Sequence, residues 1–270
     1  MLVSVHIYPL KGCRAVDLDQ AAVEPWGLAG DRRWLLVDPD GGFLTQREYP
    51  ALARLVVRYD GAGPDIVVSS DGYPALPVTA PAGTAEQLKV TVWRSTVLAT
   101  AAGPEADAWF SGYLGSPTRL VWLDDPTRRA VNPDYGRDGD VVSFADGYPL
   151  LLANARSLEQ LGDWLIEDGD EPVPMNRFRP NVVVSGFEPW AEDGWRGIRI
   201  GEVSFRVPKP CDRCVVTTTD QATGERTRQP LRILAKHRRF GQTLLFGQNL
   251  IPDSPGVIRV GDPVEITERA

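Results

Sequence analysis

Short runs of alternating apolar and polar residues, broken by Gly, Pro and Asp, fill the first hundred positions of the chain. The segment RRWLLVDPDGGFLTQRE (32–48) predicts a strand, a turn and a second strand. The segment 52–74 repeats this arrangement around a longer Gly-rich loop, and LKVTVWRSTVLAT (88–100) adds one or two further strands. Residues 1–100 are therefore predicted to form a small β-barrel or sandwich.

Helical periodicity enters the pattern after residue 100. The segment 104–115 has an aromatic face, and the segment 154–169 has a leucine face with Asn154 as its N-cap. A third helix is predicted for 230–239, where a proline opens a run that ends in basic residues. The polar, turn-rich segment 124–149 lies between the first two helices, and we interpret it as a long surface loop of the kind that often carries function.

Strand-like segments return toward the C-terminus, at 180–186, 198–207, 214–220, 243–250 and 256–268. The whole pattern predicts a β-rich α+β fold with a few helices. We place a domain boundary near residue 100, which gives an N-terminal β-barrel-like domain over 1–100 and a second β-rich domain over 101–270.

Composition and charge narrow the possible functions. The 270 residues are 43% hydrophobic and 24% charged, as in ordinary globular proteins. A formal net charge of −7 argues against broad nucleic-acid binding, which needs a basic surface. The first ten residues alternate like a strand and lack a signal-peptide pattern, and no apolar run reaches roughly 18 residues. Three cysteines are too few for a disulfide framework, which predicts a cytoplasmic protein. The charge and the lack of a long apolar run predict that it binds neither nucleic acid nor membranes.

Two of the three cysteines, Cys211 and Cys214, form a C-x-x-C motif, and the common nucleotide-binding and hydrolase motifs are absent. A structural zinc site would need further ligands, such as Cys13 and a histidine. A thioredoxin-like redox pair would need a helix N-terminus, whereas the VVTTT that follows predicts a strand. Two other interpretations stay open, namely a pair of small packing residues and a single thiolate bound to a metal cofactor.

The surroundings of this motif add a resemblance to a known family. The segments that carry it are, in order, YPLKG (8–12), GLAGDRRW (27–34), NRFRPNVVVSG (176–186), CDRCVVTTTDQATGE (211–225), LLFGQNL (244–250) and GVIRVGDPVEI (256–266). With these segments the chain resembles, over essentially its whole length, the MOSC family branch that carries an N-terminal MOSC β-barrel domain. That branch includes mitochondrial amidoxime-reducing components and bacterial proteins that detoxify N-hydroxylated bases. The resemblance implies a MOSC β-barrel domain in the second part of the chain.

The resemblance also implies a molybdenum cofactor, whose metal is bound by the second cysteine of the motif. This places the metal ligand at Cys214, where the neighbouring Arg213 would favour the thiolate. Asp146 aligns with an aspartate that lies near the metal in relatives, and we predict that it donates protons or acts as a close neighbour. Cys211 is then expected to be a packing residue and not a ligand.

The organic part of that cofactor is a pterin that ends in a phosphate, so cationic groups should converge on it. Lys11, Arg32, Arg179 and Asn181 correspond to cofactor contacts in the family. Lys11 and Arg32 precede residue 100 and the other two follow it, so the cofactor is expected to lie between the two domains.

The implied function is reduction of N-hydroxylated compounds, such as amidoximes, hydroxylamines and N-hydroxylated bases, with the N–O oxygen released as water. The chain carries no dinucleotide fingerprint and too few cysteines for a four-thiolate cluster. Electrons are therefore expected from a separate ferredoxin- or cytochrome-type protein and its reductase. A protein that only binds the cofactor, carries it, or transfers sulfur to it is the alternative.

Overall fold

A computed structural model describes residues 1–61 and 63–270 of the chain. The predicted Gly-rich loop between strands at 60–65 contains position 62, which lies outside the described residues. The strands of the described chain are β1 (Leu2–Ile7), β2 (Val16–Leu18), β3 (Gln20–Glu24), β4 (Gly27–Leu28), β5 (Trp34–Val37), β6 (Val56–Arg58), β7 (Ile66–Ser70), β8 (Tyr73–Val78), β9 (Gln87–Val92), β10 (Ser95–Ala101), β11 (Arg119–Trp122), β12 (Leu150–Asn154), β13 (Val182–Val184), β14 (Trp195–Ile200), β15 (Val203–Arg206), β16 (Pro210–Asp212), β17 (Arg239–Phe240), β18 (Thr243–Pro252), β19 (Gly256–Arg259) and β20 (Val264–Arg269).

The α-helices are α1 (Pro104–Leu114), α2 (Ala155–Glu167) and α3 (Leu231–His237). Short 3₁₀ segments cover Pro50–Arg54, Pro126–Arg128, Met175–Arg177, Ala191–Gly194 and Val215–Thr218. All three predicted helices are therefore confirmed, as is the β-rich fold class. No helix in the described part of the chain is both long and apolar enough to cross a membrane.

Local chemistry explains where the two longer helices begin and end. Helix α1 has Pro104 as its first residue, where the missing N–H is not needed, and it ends at Gly115 with a left-handed φ of 68°. Helix α2 begins after Asn154, whose side-chain oxygen accepts the backbone N–H of Arg156 at 3.1 Å. The N-cap predicted from the sequence is thus confirmed.

One large sheet organises the second part of the chain. Its strand order is β2-β1-β13-β12-β18-β15-β14-β20, with β16 and β17 also paired to β18. Strands β12 and β13 run parallel, and the other pairs are antiparallel. Its apolar face packs into a core that includes Leu2, Val182, Trp195 and Phe205.

Three smaller sheets complete the fold, with the orders β5-β11-β10-β9, β6-β7-β8 and β19-β3-β4. A second core, with Trp34, Leu52 and Phe110 at its centre, joins the first two of these sheets to α1. Strand β1 pairs with β13 in the large sheet, and β11 pairs with β5 in a small one. Both of these sheets therefore contain strands from before and after residue 100. The domain boundary near residue 100 stays a prediction.

The strand predicted directly after the C-x-x-C motif is wrong. Residues Val215–Thr218 form a single 3₁₀ turn that begins at Cys214, and the Thr217 and Thr218 hydroxyls donate to backbone carbonyls three residues back. These local bonds compete with a strand ladder, which is why a β-rich composition does not produce a strand here.

Candidate functional site

A cavity opens between residues of both halves of the chain, and it encloses about 910 Å³ of empty space including its mouth. We call it the central cavity. The central cavity is open to solvent at its mouth. Its lining includes every site residue predicted from the sequence, namely Lys11, Arg32, Asp146, Arg179, Asn181, Arg213 and Cys214.

The central cavity is positively charged although the whole chain is acidic. Its cationic lining residues are Lys11, Arg32, Arg47, Arg179 and Arg213, and its carboxylates are Asp146 and Asp212. The chain as a whole carries a formal charge of −7. Cations gathered in one cavity of an acidic protein favour an anionic ligand there.

Cys214 lies in the cavity with a guanidinium beside its sulfur. The Nη2 of Arg47 donates to Cys214 Sγ at 3.1 Å, and both side chains are partly exposed. The thiolate is the form of cysteine that binds metals, and a high-valent metal deprotonates its thiol ligand on binding. Cys214 is thus chemically suited to hold a soft or high-valent metal with one sulfur ligand.

Cys211 also lines the cavity, but its surroundings differ. Its Sγ accepts a hydrogen bond from Arg213 Nη1 at 2.9 Å, and Arg213 Nη2 donates to the Phe178 carbonyl at 2.6 Å. Burial raises the pKa of Cys211, and Arg213 only partly opposes this. The buried Nε of Arg213 has no hydrogen-bond partner within residues 1–61 and 63–270, so a bound acceptor could satisfy it.

No alternative metal cluster is built around these cysteines. Cys13 is fully buried away from the cavity lining, and burial raises its pKa to about 11. All three cysteines are free, and the described ranges contain no group of three or more His, Cys, Asp or Glu side chains that could hold a metal ion. The geometry therefore gives no support to a protein-built zinc site.

The guanidinium groups of two cavity-lining arginines pack on the ring of Tyr8, which is buried and does not itself line the central cavity. The guanidinium carbons of Arg32 and Arg179 lie 4.4 and 4.2 Å from the ring centroid. Both arginines have left-handed backbones, with φ of 49° and 57°, which is uncommon outside glycine and asparagine. Burial raises the pKa of Tyr8 to about 12 even though both arginines oppose the shift. The neutral ring thus separates two fixed positive charges.

Hydrogen bonds hold these arginines in place. Arg32 Nη1 donates to Asp31 Oδ2 at 2.5 Å and to Asn181 Oδ1 at 3.0 Å. The Asn181 amide also donates to the His6 carbonyl at 3.1 Å, so the protein already uses both of its ends. Arg179 Nη1 donates to the Cys13 carbonyl at 2.7 Å and to Gln221 Oε1 at 2.9 Å. Asn181 lines the cavity, and its main contribution there is to hold the Arg32 guanidinium in position.

The motif segments GDRRW and NRFRPN each contain two arginines, and in each segment one of the two lines the cavity. Arg177 donates to the Thr218 carbonyl at 2.8 Å and to Asp220 at 3.0 Å, which ties the turn after Cys214 to the preceding segment. Arg33 donates to the Leu123 carbonyl at 3.0 Å and lies outside the lining. Arg32 and Arg179 are the members that line it.

Lys11 and Asp146 form an ion pair inside the cavity. Lys11 Nζ donates to Asp146 Oδ1 at 2.6 Å and to the Phe144 carbonyl at 2.7 Å. Burial lowers the pKa of Lys11 to about 8, although Asp146 opposes this. The Asp146 side chain is 68% exposed, and its partial loss of water would by itself raise its pKa. The Lys11 ammonium and its hydrogen bond outweigh this effect and hold the pKa of Asp146 well below its usual range.

The lowered pKa of Lys11 predicts a pH dependence of stability. Between about pH 8 and 10.5 the folded protein has lost the Lys11 proton while the unfolded chain still binds it. The free energy of unfolding should therefore rise with pH relative to a Lys11→Met variant, by up to about 1.4 kcal/mol per pH unit. Urea unfolding of both proteins from pH 7 to 10.5 measures this difference. A difference that stays flat, or falls, contradicts the assigned environment of Lys11.

Sequence reasoning missed Arg47 and Trp93. Arg47 sits in a turn after the β5 hairpin, and its guanidinium carbon lies 4.7 Å from the centroid of the Trp93 ring. Trp93 Nε1 donates to Asp146 Oδ1 at 3.2 Å. No periodic pattern governs side-chain direction in turns, so the sequence carried no signal for either residue.

The fold and the cavity define a class: a β-rich protein with one metal-competent thiol inside a cationic, ligand-sized cavity. A model of the MOSC N-terminal beta barrel domain matches residues 1–117, and a model of the MOSC domain matches residues 139–265. The chain therefore belongs to the MOSC family and combines both of these domains.

Relatives over nearly the whole chain fall into two groups. Mitochondrial amidoxime-reducing component 1 of Homo sapiens is 32% identical, and the alignment covers 97% of this chain and 82% of the relative. The corresponding protein of Mus musculus is also 32% identical, over 97% of this chain and 81% of the relative. Molybdenum cofactor sulfurase of Solanum lycopersicum is 30% identical over 97% of this chain, but only 35% of that longer protein is covered.

Proposed function

We propose that this protein is a molybdenum-cofactor-dependent reductase of N-hydroxylated compounds such as amidoximes, hydroxylamines and N-hydroxylated bases. The observation that carries the proposal is the Cys214 thiol beside Arg47 in a cavity lined by five cationic side chains. The amidoxime-reducing components that resemble the chain along most of their length support the same reaction class.

The residues present fit a molybdenum cofactor. Cys214 would bind the metal through its thiolate, and Lys11, Arg32 and Arg179 would face the anionic pterin part. Asn181 would act by holding Arg32, because its own amide is bonded to the protein at both ends.

When bound, the cofactor supplies the two-electron chemistry that removes the oxygen of an N–O group. The chain itself supplies charge and protons. Arg47 holds the Cys214 sulfur in position, because its guanidinium donates to Sγ at 3.1 Å. The ammonium of Lys11 holds a proton next to Asp146 Oδ1 in the cavity lining and is the proton donor that we propose for the oxygen released as water. Asp146 keeps this ammonium in place by its negative charge.

The decisive experiment measures turnover of benzamidoxime by molybdenum-loaded protein with reduced viologen as the electron source. We expect steady reduction to benzamidine at a rate proportional to the molybdenum content. Loaded protein that binds molybdenum in full but shows no turnover would contradict the proposal.

We also predict that a separate protein supplies the electrons. The chain should be inert with NADH alone, because it has no dinucleotide fingerprint and only three cysteines. Addition of a ferredoxin- or cytochrome-type protein with its reductase should restore turnover. Because such donors dock by charge steering, this rate should fall as salt rises, while the viologen-driven rate changes much less. Unaided oxidation of NADH by the chain with benzamidoxime would contradict the prediction.

A carrier of the cofactor, or a protein that transfers sulfur to it, is the second candidate. The resemblance to molybdenum cofactor sulfurase, in which the chain matches only about a third of the protein, favours it. This candidate predicts stoichiometric molybdenum without turnover, and transfer of the cofactor to an apoenzyme. The viologen assay and metal analysis together separate the two functions.

A further inference from the structure

Trp93 occupies an unusual position at the mouth of the central cavity. Strands β9 and β10 pair up to Val92 and Ser95, which leaves Trp93 and Arg94 as a two-residue turn. Trp93 has a left-handed φ of 56°, at a position where such hairpins normally place Gly, Asn or Asp. Its side chain is still 48% exposed, and it belongs to none of the apolar cores formed by the described residues. Core packing thus does not account for a strained tryptophan here.

The side chain of Trp93 contacts three residues that line the cavity. Its Nε1 donates to Asp146 Oδ1 at 3.2 Å, its ring meets the Phe43 ring edge-on at 5.1 Å between centroids, and Arg47 lies over it at 4.7 Å. Phe43, Arg47 and Asp146 line the cavity, whereas Trp93 lies just outside the lining. The indole is therefore fixed at the rim with about half of its surface open.

Arg47 sets the distance between this ring and the reactive sulfur. Its guanidinium lies over the indole at 4.7 Å and donates to Cys214 Sγ at 3.1 Å, so a single guanidinium spans the gap from ring to thiol. The part of the indole that Arg47 leaves open therefore lies within one guanidinium of Cys214, close enough to contact a substituent of a substrate held there. A flat aromatic substituent can stack there, and an aliphatic one gains much less.

We propose that Trp93 is a specificity-determining residue that selects N-hydroxylated substrates with an aromatic or heteroaromatic ring next to the N–O group. The inference rests on the proposed reductase function and deepens it by naming the substrate class. Backbone strain concentrated at a site rim is typical of residues kept for function, and here the strain positions an exposed ring beside the cavity.

The test compares two substrates that share one reacting group. Benzamidoxime carries a ring and acetamidoxime carries a methyl group. Trp93→Asn tolerates the left-handed backbone and removes the ring, whereas Trp93→Phe keeps a ring and removes the N–H donor. With viologen, we expect Trp93→Asn to lower kcat/KM about 10-fold for benzamidoxime, mostly through KM, and less than about 2-fold for acetamidoxime. Trp93→Phe should keep most of the preference for benzamidoxime.

A matched control lies on the same hairpin. Leu98 is 42% exposed on β10 and lies outside the cavity lining. Leu98→Ala should therefore leave kcat/KM unchanged for both substrates. An equal loss for both substrates in Trp93→Asn, with a shifted pH profile, would mean that Trp93 only positions Asp146. Unchanged kinetics for both substrates would also overturn the proposal.

A binding measurement separates this inference from the proposed function. Saturation-transfer NMR with benzamidoxime in the absence of a reductant needs no turnover, and the ring protons should receive much more saturation from wild-type and Trp93→Phe protein than from Trp93→Asn. If this pattern holds in protein that fails to reduce benzamidoxime, the reductase proposal fails and the role of Trp93 stands. If turnover occurs and all three proteins transfer saturation equally, the role of Trp93 fails and the reductase proposal stands.

Discussion

We expect the Cys214→Ser variant to lose reductase turnover completely and to show an altered electronic spectrum of the bound metal. A serine hydroxyl is a harder and far less acidic donor than a thiol, so it cannot replace a thiolate ligand. The neighbouring Arg47 donates to Sγ at 3.1 Å, but a single hydrogen bond of this kind does not make an alkoxide of serine at neutral pH. Viologen-driven turnover, molybdenum content and the absorption spectrum of the purified variant measure the effect.

Cys211→Ser is the matched control for this experiment. Cys211 accepts a hydrogen bond from Arg213 at 2.9 Å, and a serine oxygen can accept the same bond. We therefore expect this variant to keep its spectrum and most of its activity. Equal loss in both variants would mean that the two cysteines act as a pair, as in a zinc site or a disulfide, and would overturn the assignment of Cys214.

We expect the Arg179→Asn variant to retain the cofactor roughly 10- to 100-fold less tightly than the wild type, because a charge-assisted hydrogen bond contributes about 1.5–3 kcal/mol. Asparagine is chosen because Arg179 has a φ of 57°, which asparagine tolerates better than alanine. Molybdenum and pterin retained after dialysis measure the effect.

The same substitution should also destabilise the cofactor-free protein. From the sequence, a guanidinium facing a ligand is expected to add little to folding. The structure instead shows Arg179 bonded to the Cys13 carbonyl and to Gln221 and packed on Tyr8, so a loss of about 1–3 kcal/mol is expected from two hydrogen bonds. Thermal unfolding of cofactor-free protein measures this part separately.

Arg14→Asn controls for the structural part of the effect. Arg14 donates to the Gln221 and Ala222 carbonyls at 3.0 Å each, but it does not line the central cavity. We expect a comparable loss of stability without a loss of cofactor retention. Full cofactor retention in Arg179→Asn would show that Arg179 belongs to the wall and not to the binding site.

The three helices and most strands could be predicted because their signals are local. The Asn154 cap of α2 and the proline that begins α1 act on neighbours within a few positions. The 3₁₀ turn after Cys214 escaped prediction because threonine hydroxyls bonded to nearby carbonyls outweigh the β-forming tendency of Val and Thr.

The order of apolar and polar residues by itself determined the β-rich class and the helix positions, and the family resemblance added six candidate residues that line one cavity together with Arg213. Only the tertiary structure decided which guanidinium meets each thiol of the motif, Arg213 at Cys211 and Arg47 at Cys214. It also added Arg47 and Trp93. The physical reason is that a hydrogen bond such as that from Arg47 to Cys214 joins residues 167 positions apart, and side-chain direction in turns follows from packing, which no local pattern encodes.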